Sequence, residues 1–94
     1  LILSQNYPNP FNAETRISYS IGSQAKVRFE IYNLLGERIL SRQEGVREAG
    51  VHSFYWRGVN EYGVALPGGV YFCKVSAVQS DREYSAIIKL VLLK

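Results

Sequence analysis

The sequence predicts an all-β fold, an antiparallel β-sandwich of about seven short strands, and three observations carry that expectation. Apolar and polar residues alternate with period two in segment after segment. Turn-forming Gly, Asn, Asp and Ser separate those segments at intervals of roughly 8–12 residues, the rhythm of a sandwich. No stretch carries an apolar i, i+3, i+4 stripe of helical length with capping residues. Composition agrees: 47% of the 94 residues are hydrophobic, 13% aromatic and only 20% charged, the make-up of a folded domain rather than a disordered tail. The length suits a single domain spanning 1–94.

Residues 1–13 read as an entry segment. Its centre, Asn6-Tyr7-Pro8-Asn9-Pro10-Phe11, is a stiff loop poor in amide donors. Pro8 and Pro10 fix φ near about −65° and bias Tyr7 and Asn9 away from helix. Tyr7 and Phe11 are then expected to plug one end of the sandwich where the chain enters from a preceding domain. Residues 16–21 turn Ile17, Tyr19 and Ile21 inward, and residues 26–31 do the same with Val27, Phe29 and Ile31. Gly22-Ser23 makes a hairpin or corner between them. Leu34-Leu35-Gly36-Glu37 is a turn leading to a short strand over 38–42, with a polar bend over 45–50.

Residues 51–56 place His52, Phe54 and Trp56 on one face, and Trp56 is the candidate for the largest single core contribution alongside Phe29 and Ile31. A glycine-punctuated connection follows through Gly58, Gly63 and Pro67-Gly68-Gly69. Residues 70–79 carry Tyr71, Cys73, Val75 and Ala77 on one face. A turn at 80–83 closes a last hairpin with a final strand over 84–93.

Neither charge nor motif points to catalysis. The net charge of +3 is spread along the chain without a basic stripe, so no nucleic-acid footprint is present. A single cysteine allows neither an internal disulfide nor a multi-cysteine metal site, and Cys73 reads as a small apolar strand residue. One histidine, His52, and one aspartate, Asp81, are available for a triad; no nucleophile-elbow or phosphate-loop pattern accompanies them. The seven glutamates read as scattered exposed positions. The Asn60-Glu61 turn offers fewer oxygens than the six or so that calcium takes at minimum. No catalytic residue, metal site or cofactor is therefore expected. No apolar span of about 20 residues occurs, so stable membrane insertion is not expected. The chain has no methionine, and it is read as the C-terminal piece of a larger protein. A second functional class stays open: Tyr7, Tyr32, Tyr55 and Tyr62 can be half-buried caps of the sandwich ends or stacking platforms for sugar rings.

Leu3-Ser4-Gln5-Asn6-Tyr7-Pro8-Asn9-Pro10-Phe11-Asn12, with Thr15-Arg16-Ile17-Ser18-Tyr19 after it, resembles the start of the type A C-terminal sorting domain of the Por, or type IX, secretion system, whose pattern reads L-x-Q-N-Y-P-N-P-F-N-P-x-T-x-I-x-Y. The likeness continues in register. Ile31-Tyr32-Asn33-Leu34-Leu35-Gly36-Glu37-Arg38 is similar to the family's I-Y-D-x-x-G-x-x-V. Ala49-Gly50-Val51-His52, with Trp56 and Gly58, is similar to A-G-x-H-x-x-x-W-D-G. Pro67-Gly68-Gly69-Val70-Tyr71-Phe72 is similar to P/S-x-G-x-Y, and Lys89-Leu90-Val91-Leu92-Leu93-Lys94 to the lysine-bounded end. Three positions depart: Ala13 stands where proline is common, Asn33 where aspartate is common, and Arg57 where aspartate follows the tryptophan. Ala13 is expected to loosen the entry loop slightly, and Asn33 and Arg57 each remove a carboxylate.

The resemblance implies an immunoglobulin-like sandwich and a non-catalytic sorting role. Such a domain directs upstream cargo domains of the same chain from the periplasm to the cell surface or medium. Its implied partners are the type IX outer-membrane translocon and a sortase-like peptidase. The expected recognition residues are Pro67, Gly69, Tyr71, Lys89, Leu92 and Lys94, with the final strand or its tail read by strand addition. The family is also similar in fold to the immunoglobulin-like domain of the flagellar hook-capping protein, so a structural, adhesive or carbohydrate-binding accessory module is the alternative.

Overall fold

The computed structural model describes residues 1–93, and Lys94, one of the expected recognition residues, lies outside the described residues. Among the described residues, seven strands occur: β1 (Ile2–Leu3), β2 (Thr15–Ile21), β3 (Ala25–Asn33), β4 (Arg38–Arg47), β5 (Gly50–Trp56), β6 (Gly69–Gln79) and β7 (Arg82–Leu92). They form two antiparallel sheets, β1-β2-β5 and β4-β3-β6-β7, so chain-adjacent β2 and β3 lie in different sheets. The two sheets bury each other's apolar faces, as the alternation requires.

The inward residues are those the alternation selects. Ile17, Tyr19 and Ile21 of β2 face Val27, Phe29 and Ile31 of β3 and Cys73, Val75 and Ala77 of β6, all buried. The sheets are stitched by aromatics: Phe29 stacks on Phe54 with centroids 3.9 Å apart. At one end Trp56 packs on Phe11 at 5.7 Å and edge-on to Tyr71 at 5.6 Å. The Trp56 indole N–H donates to the Val59 carbonyl at 2.9 Å, so the largest core side chain leaves no donor unpaired. Burial pushes the Cys73 thiol up to about 12, which makes it an inert filler.

Several expectations need correction. β1 precedes the entry loop, pairing Ile2 with Ser20 and Leu3 with Tyr19; the loop therefore joins two strands of one sheet. Tyr7 does not plug the sandwich: it is 75% exposed, because its backbone pairs with Arg16 and turns its ring outward. Phe11 does the plugging alone, at 1% exposure. β4 runs to Arg47 through the segment read as a polar bend. A bulge between Val27 and Arg28, opposite Gly45 and Gln43, breaks its alternation, and Gly45 takes φ 82° there. Glu30 is not exposed; it lies buried on the outer face of β3 between Arg28 at 3.8 Å and Arg38 at 3.3 Å. The terminal hairpin is tighter than expected, with only Ser80 and Asp81 outside the ladder.

Trp56→Ala should lower stability by about 3–5 kcal/mol, measured by denaturant melts, because it deletes the ring that joins Phe11 to Tyr71. A loss below about 1 kcal/mol would mean that the ring is not a core anchor.

Candidate functional site

The entry loop and the C-terminal end of β7 meet, and the meeting place is built almost entirely from the Asn/Pro/aromatic stretch. Thr15 Oγ1 donates to the Pro8 carbonyl at 2.8 Å, and Asn6 Nδ2 donates to Thr15 Oγ1 at 2.9 Å. Both side chains are buried, so paired polar groups hold the first half of the loop while Phe11 anchors its end by apolar packing. The Tyr7–Pro8 and Asn9–Pro10 peptide bonds are cis.

Set in this shape, the loop lies along the outer edge of β7. Four hydrogen bonds join them: Gln5 Nε2 to the Lys89 carbonyl at 2.9 Å, Val91 N to Asn9 Oδ1 at 2.9 Å, Phe11 N to the Val91 carbonyl at 2.9 Å, and Leu93 N to the Phe11 carbonyl at 2.8 Å. Phe11 and Leu92 make a parallel bridge. An edge strand otherwise presents a row of unpaired amides and carbonyls. Here the last stretch of that row, from Lys89 to Leu93, is occupied by the chain's own entry segment. Beyond it, toward Glu83, Ser85 and Ile87, β7 pairs only with β6 among the described residues.

On the other side β6 lies beside the same stretch, with Gly69 opposite Leu92, Val70 opposite Val91 and Tyr71 opposite Leu90. The fold thus brings Gly69, Tyr71, Lys89 and Leu92 together with Asn9 and Phe11. Their accessibility differs. Tyr71 and Leu92 are buried, whereas Pro67, Gly69 and Lys89 are exposed. Tyr71 is a tyrosine corner: its hydroxyl donates to the Pro67 carbonyl at 2.6 Å, four residues upstream, at the start of β6. Burial raises the Tyr71 hydroxyl above its ordinary value and keeps it a neutral donor. Pro67 and Tyr71 therefore fix the connection that delivers Gly69 to the strand.

Gly58 belongs to this end although it did not stand among the expected site residues. It has φ 70°, and a Cβ there would meet Leu92 Cδ2 at 2.9 Å. The Trp-x-Gly spacing of Trp56 and Gly58 is the sequence signal for it. The departures find local partners. Asn33 Oδ1 accepts from Leu35 N at 3.0 Å and Glu37 N at 2.9 Å, holding the turn. Arg57 pairs with Glu14 at 3.3 Å. Asn60 Oδ1 accepts from Tyr62 N and Val64 N, so it shapes its own turn. Leu34 and Leu35, at the tip of the β3–β4 turn, are 70% and 85% exposed and flank a shallow groove with Gly69 and Val70. His52 packs on Tyr19 at 5.6 Å, with Nε2 2.7 Å from the Glu48 carbonyl, so it is spoken for structurally. Among the described residues, no group of three or more His, Cys, Asp or Glu is placed to hold a metal ion.

Gly58→Ala should destabilise the domain by about 1–3 kcal/mol, since the left-handed backbone and the clash with Leu92 act together. Tyr71→Phe should cost about 1–2 kcal/mol by leaving the Pro67 carbonyl without its donor. Thermal or denaturant melts check both; a neutral result for either removes the corresponding contact from the account.

The family model of the FlgD Ig-like domain matches residues 7–81. Among solved structures, dimeric latent PorU from Porphyromonas gingivalis superposes with a TM-score of 0.77 at 18% identity, over 95% of this chain and 9% of that one. FlgD from P. aeruginosa superposes with a TM-score of 0.72 at 22% identity, over 82% of this chain and 59% of that one. At these identities the likeness is one of fold, and the chain spans only part of either neighbour. No curated protein matches the chain.

Proposed function

We propose that this chain, which belongs to the FlgD Ig-like domain family, acts as a sorting domain that takes a larger cargo protein through the type IX secretion system. One observation carries the reading. The Gln5-Asn6-Tyr7-Pro8-Asn9-Pro10-Phe11 string that resembles the sorting-domain signature is the same segment whose side chains and backbone hold the C-terminal strand. The fold likeness to latent PorU over 95% of the chain supports it further. In this reading the domain is non-catalytic, the cargo precedes it, and the product reaches the surface or medium by way of the periplasm. The partners are the outer-membrane translocon and a sortase-like peptidase.

The occupied edge alters how the signal is read. Strand addition along residues 89–93 would have to displace the entry segment, since those backbone groups are already bonded. A receptor meets instead the outward surface at this end: Lys89, Gly69, the exposed Leu34-Leu35 turn and Leu93. The accessory-module reading rests on the family match itself, which a structural or adhesive immunoglobulin-like domain satisfies equally.

Fused to the C-terminus of a periplasmically exported reporter in a host with the type IX system, residues 1–94 should carry it to the surface or medium. Deleting Leu93 and Lys94 should abolish that delivery yet leave the domain folded, because Leu93 supplies one clasp hydrogen bond worth about 1 kcal/mol and the other three remain. Periplasmic retention of the intact fusion would remove the sorting role and favour the accessory module. Normal secretion by the truncated fusion would place the signal elsewhere on the sandwich.

A further inference from the structure

The outer face of the β1-β2-β5 sheet carries an arrangement whose side chains take no part in the core or in the bonds to the last strand. Tyr7 pairs with Arg16, and Arg16 with Tyr55, so these three stand in one row across the sheet on the same face. Both rings lie open to solvent, Tyr7 at 75% and Tyr55 at 59% exposure, and Arg16 between them is exposed as well. Among the described residues, no carboxylate lies within ion-pair distance of Arg16; the nearby pair, Glu14 with Arg57, is satisfied on its own at 3.3 Å. The next row is small and hydroxylic, Ser18 opposite Ser53, with Ser4 N bonded to the Ser18 carbonyl at 2.9 Å. The floor is therefore flat and free of large side chains on the Ser18–Ser53 side, while the Glu14–Arg57 pair borders the aromatic row on the other.

We infer that this face is a binding platform for an extended acidic glycan, with Tyr7 and Tyr55 as stacking surfaces and Arg16 as the carboxylate contact. Strands lie about 4.8 Å apart, so residues two strands away stand about 10 Å apart, the reach of a disaccharide in an extended chain. Tyrosine rings offer rigid apolar faces to the C–H side of a sugar ring while their hydroxyls stay wet. The guanidinium is a planar fork matched to a carboxylate and cannot lose its charge. A neutral chain would leave Arg16 desolvated beneath it without a partner, which disfavours neutral sugars. The serine hydroxyls supply donors and acceptors for ring hydroxyls along the same floor.

The platform differs in kind from the tail surface: it occupies the opposite sheet, and its variants need not touch sorting. The test is titration of the 94-residue chain with galacturonic-acid oligomers and, in parallel, with neutral cello-oligosaccharides of equal length. Binding of the acidic oligomer that weakens with salt is expected, with neutral chains bound about tenfold more weakly or not at all. Tyr55→Ala and Arg16→Gln should each reduce affinity about tenfold or more while thermal melts stay within a few degrees of the parent. Because Tyr7 sits in the entry loop, Tyr7→Phe serves as its conservative check and should retain binding. Absence of binding to the acidic oligomer, equal binding of the neutral chain, or unchanged affinity in Arg16→Gln would each overturn the proposal.

Discussion

Everything distinctive about this domain depends on one constraint: the entry segment must lie against the edge of the last strand. An ordinary seven-strand sandwich leaves both flanking strands of its larger sheet with unpaired backbone groups. Here Gln5, Asn9 and Phe11 take the groups of Lys89, Val91 and Leu93, so the two ends of the chain close on each other across more than eighty residues of sequence. The unusual composition of the loop follows from that task. Prolines remove amides that would have no partner, asparagine and glutamine side chains supply the acceptor and donor that a regular strand would have supplied, and one aromatic anchors the loop in the core.

The anchoring spreads inward from Phe11. Its ring rests on Trp56, Trp56 on Tyr71, and the Tyr71 hydroxyl on the Pro67 carbonyl, so loop, β5, β6 and the long connection share one contiguous set of contacts. Leu92 completes the set by lying over Gly58, where a side chain has no room. Each hydrogen bond is worth only about 1 kcal/mol net, so no single one holds the end closed. Cooperation between the buried rings and the edge bonds does, and it makes the C-terminal strand the part of the sheet best tied to the chain's beginning.

Much of this was legible in the sequence. Period-two alternation placed Ile17, Val27, Phe29, Ile31 and Cys73 inward, and the glycine-rich connection ahead of residue 69 marked the start of a strand. The misses share a cause. β4 was cut short because an edge strand with a bulge at Gly45 carries mostly polar, half-exposed residues and loses alternation where the register shifts. β1 is only two residues long, too short for any periodic signal. Glu30 looked exposed because its type says nothing of the two arginines that cover it. Tyr7 looked like a plug because it is aromatic, but backbone pairing with Arg16 decided its face. The clasp itself is non-local. The residues carrying it were conspicuous in the sequence, yet their partners at the other end were not.

Native-state hydrogen exchange at the Val91 and Leu93 amides tests the clasp most directly. Val91 N, bonded to Asn9, and Leu93 N, bonded to Phe11, face away from β6. By the alternation of an antiparallel ladder, the amides of Ser85 and Ile87 point the same way without such a partner. The account predicts slow exchange at Val91 and Leu93, fast exchange at Ser85 and Ile87, and a selective loss of Val91 protection in Asn9→Ala while Cys73 stays protected. Exchange at Val91 and Leu93 as fast as at Ser85 and Ile87 in the unaltered chain would contradict it.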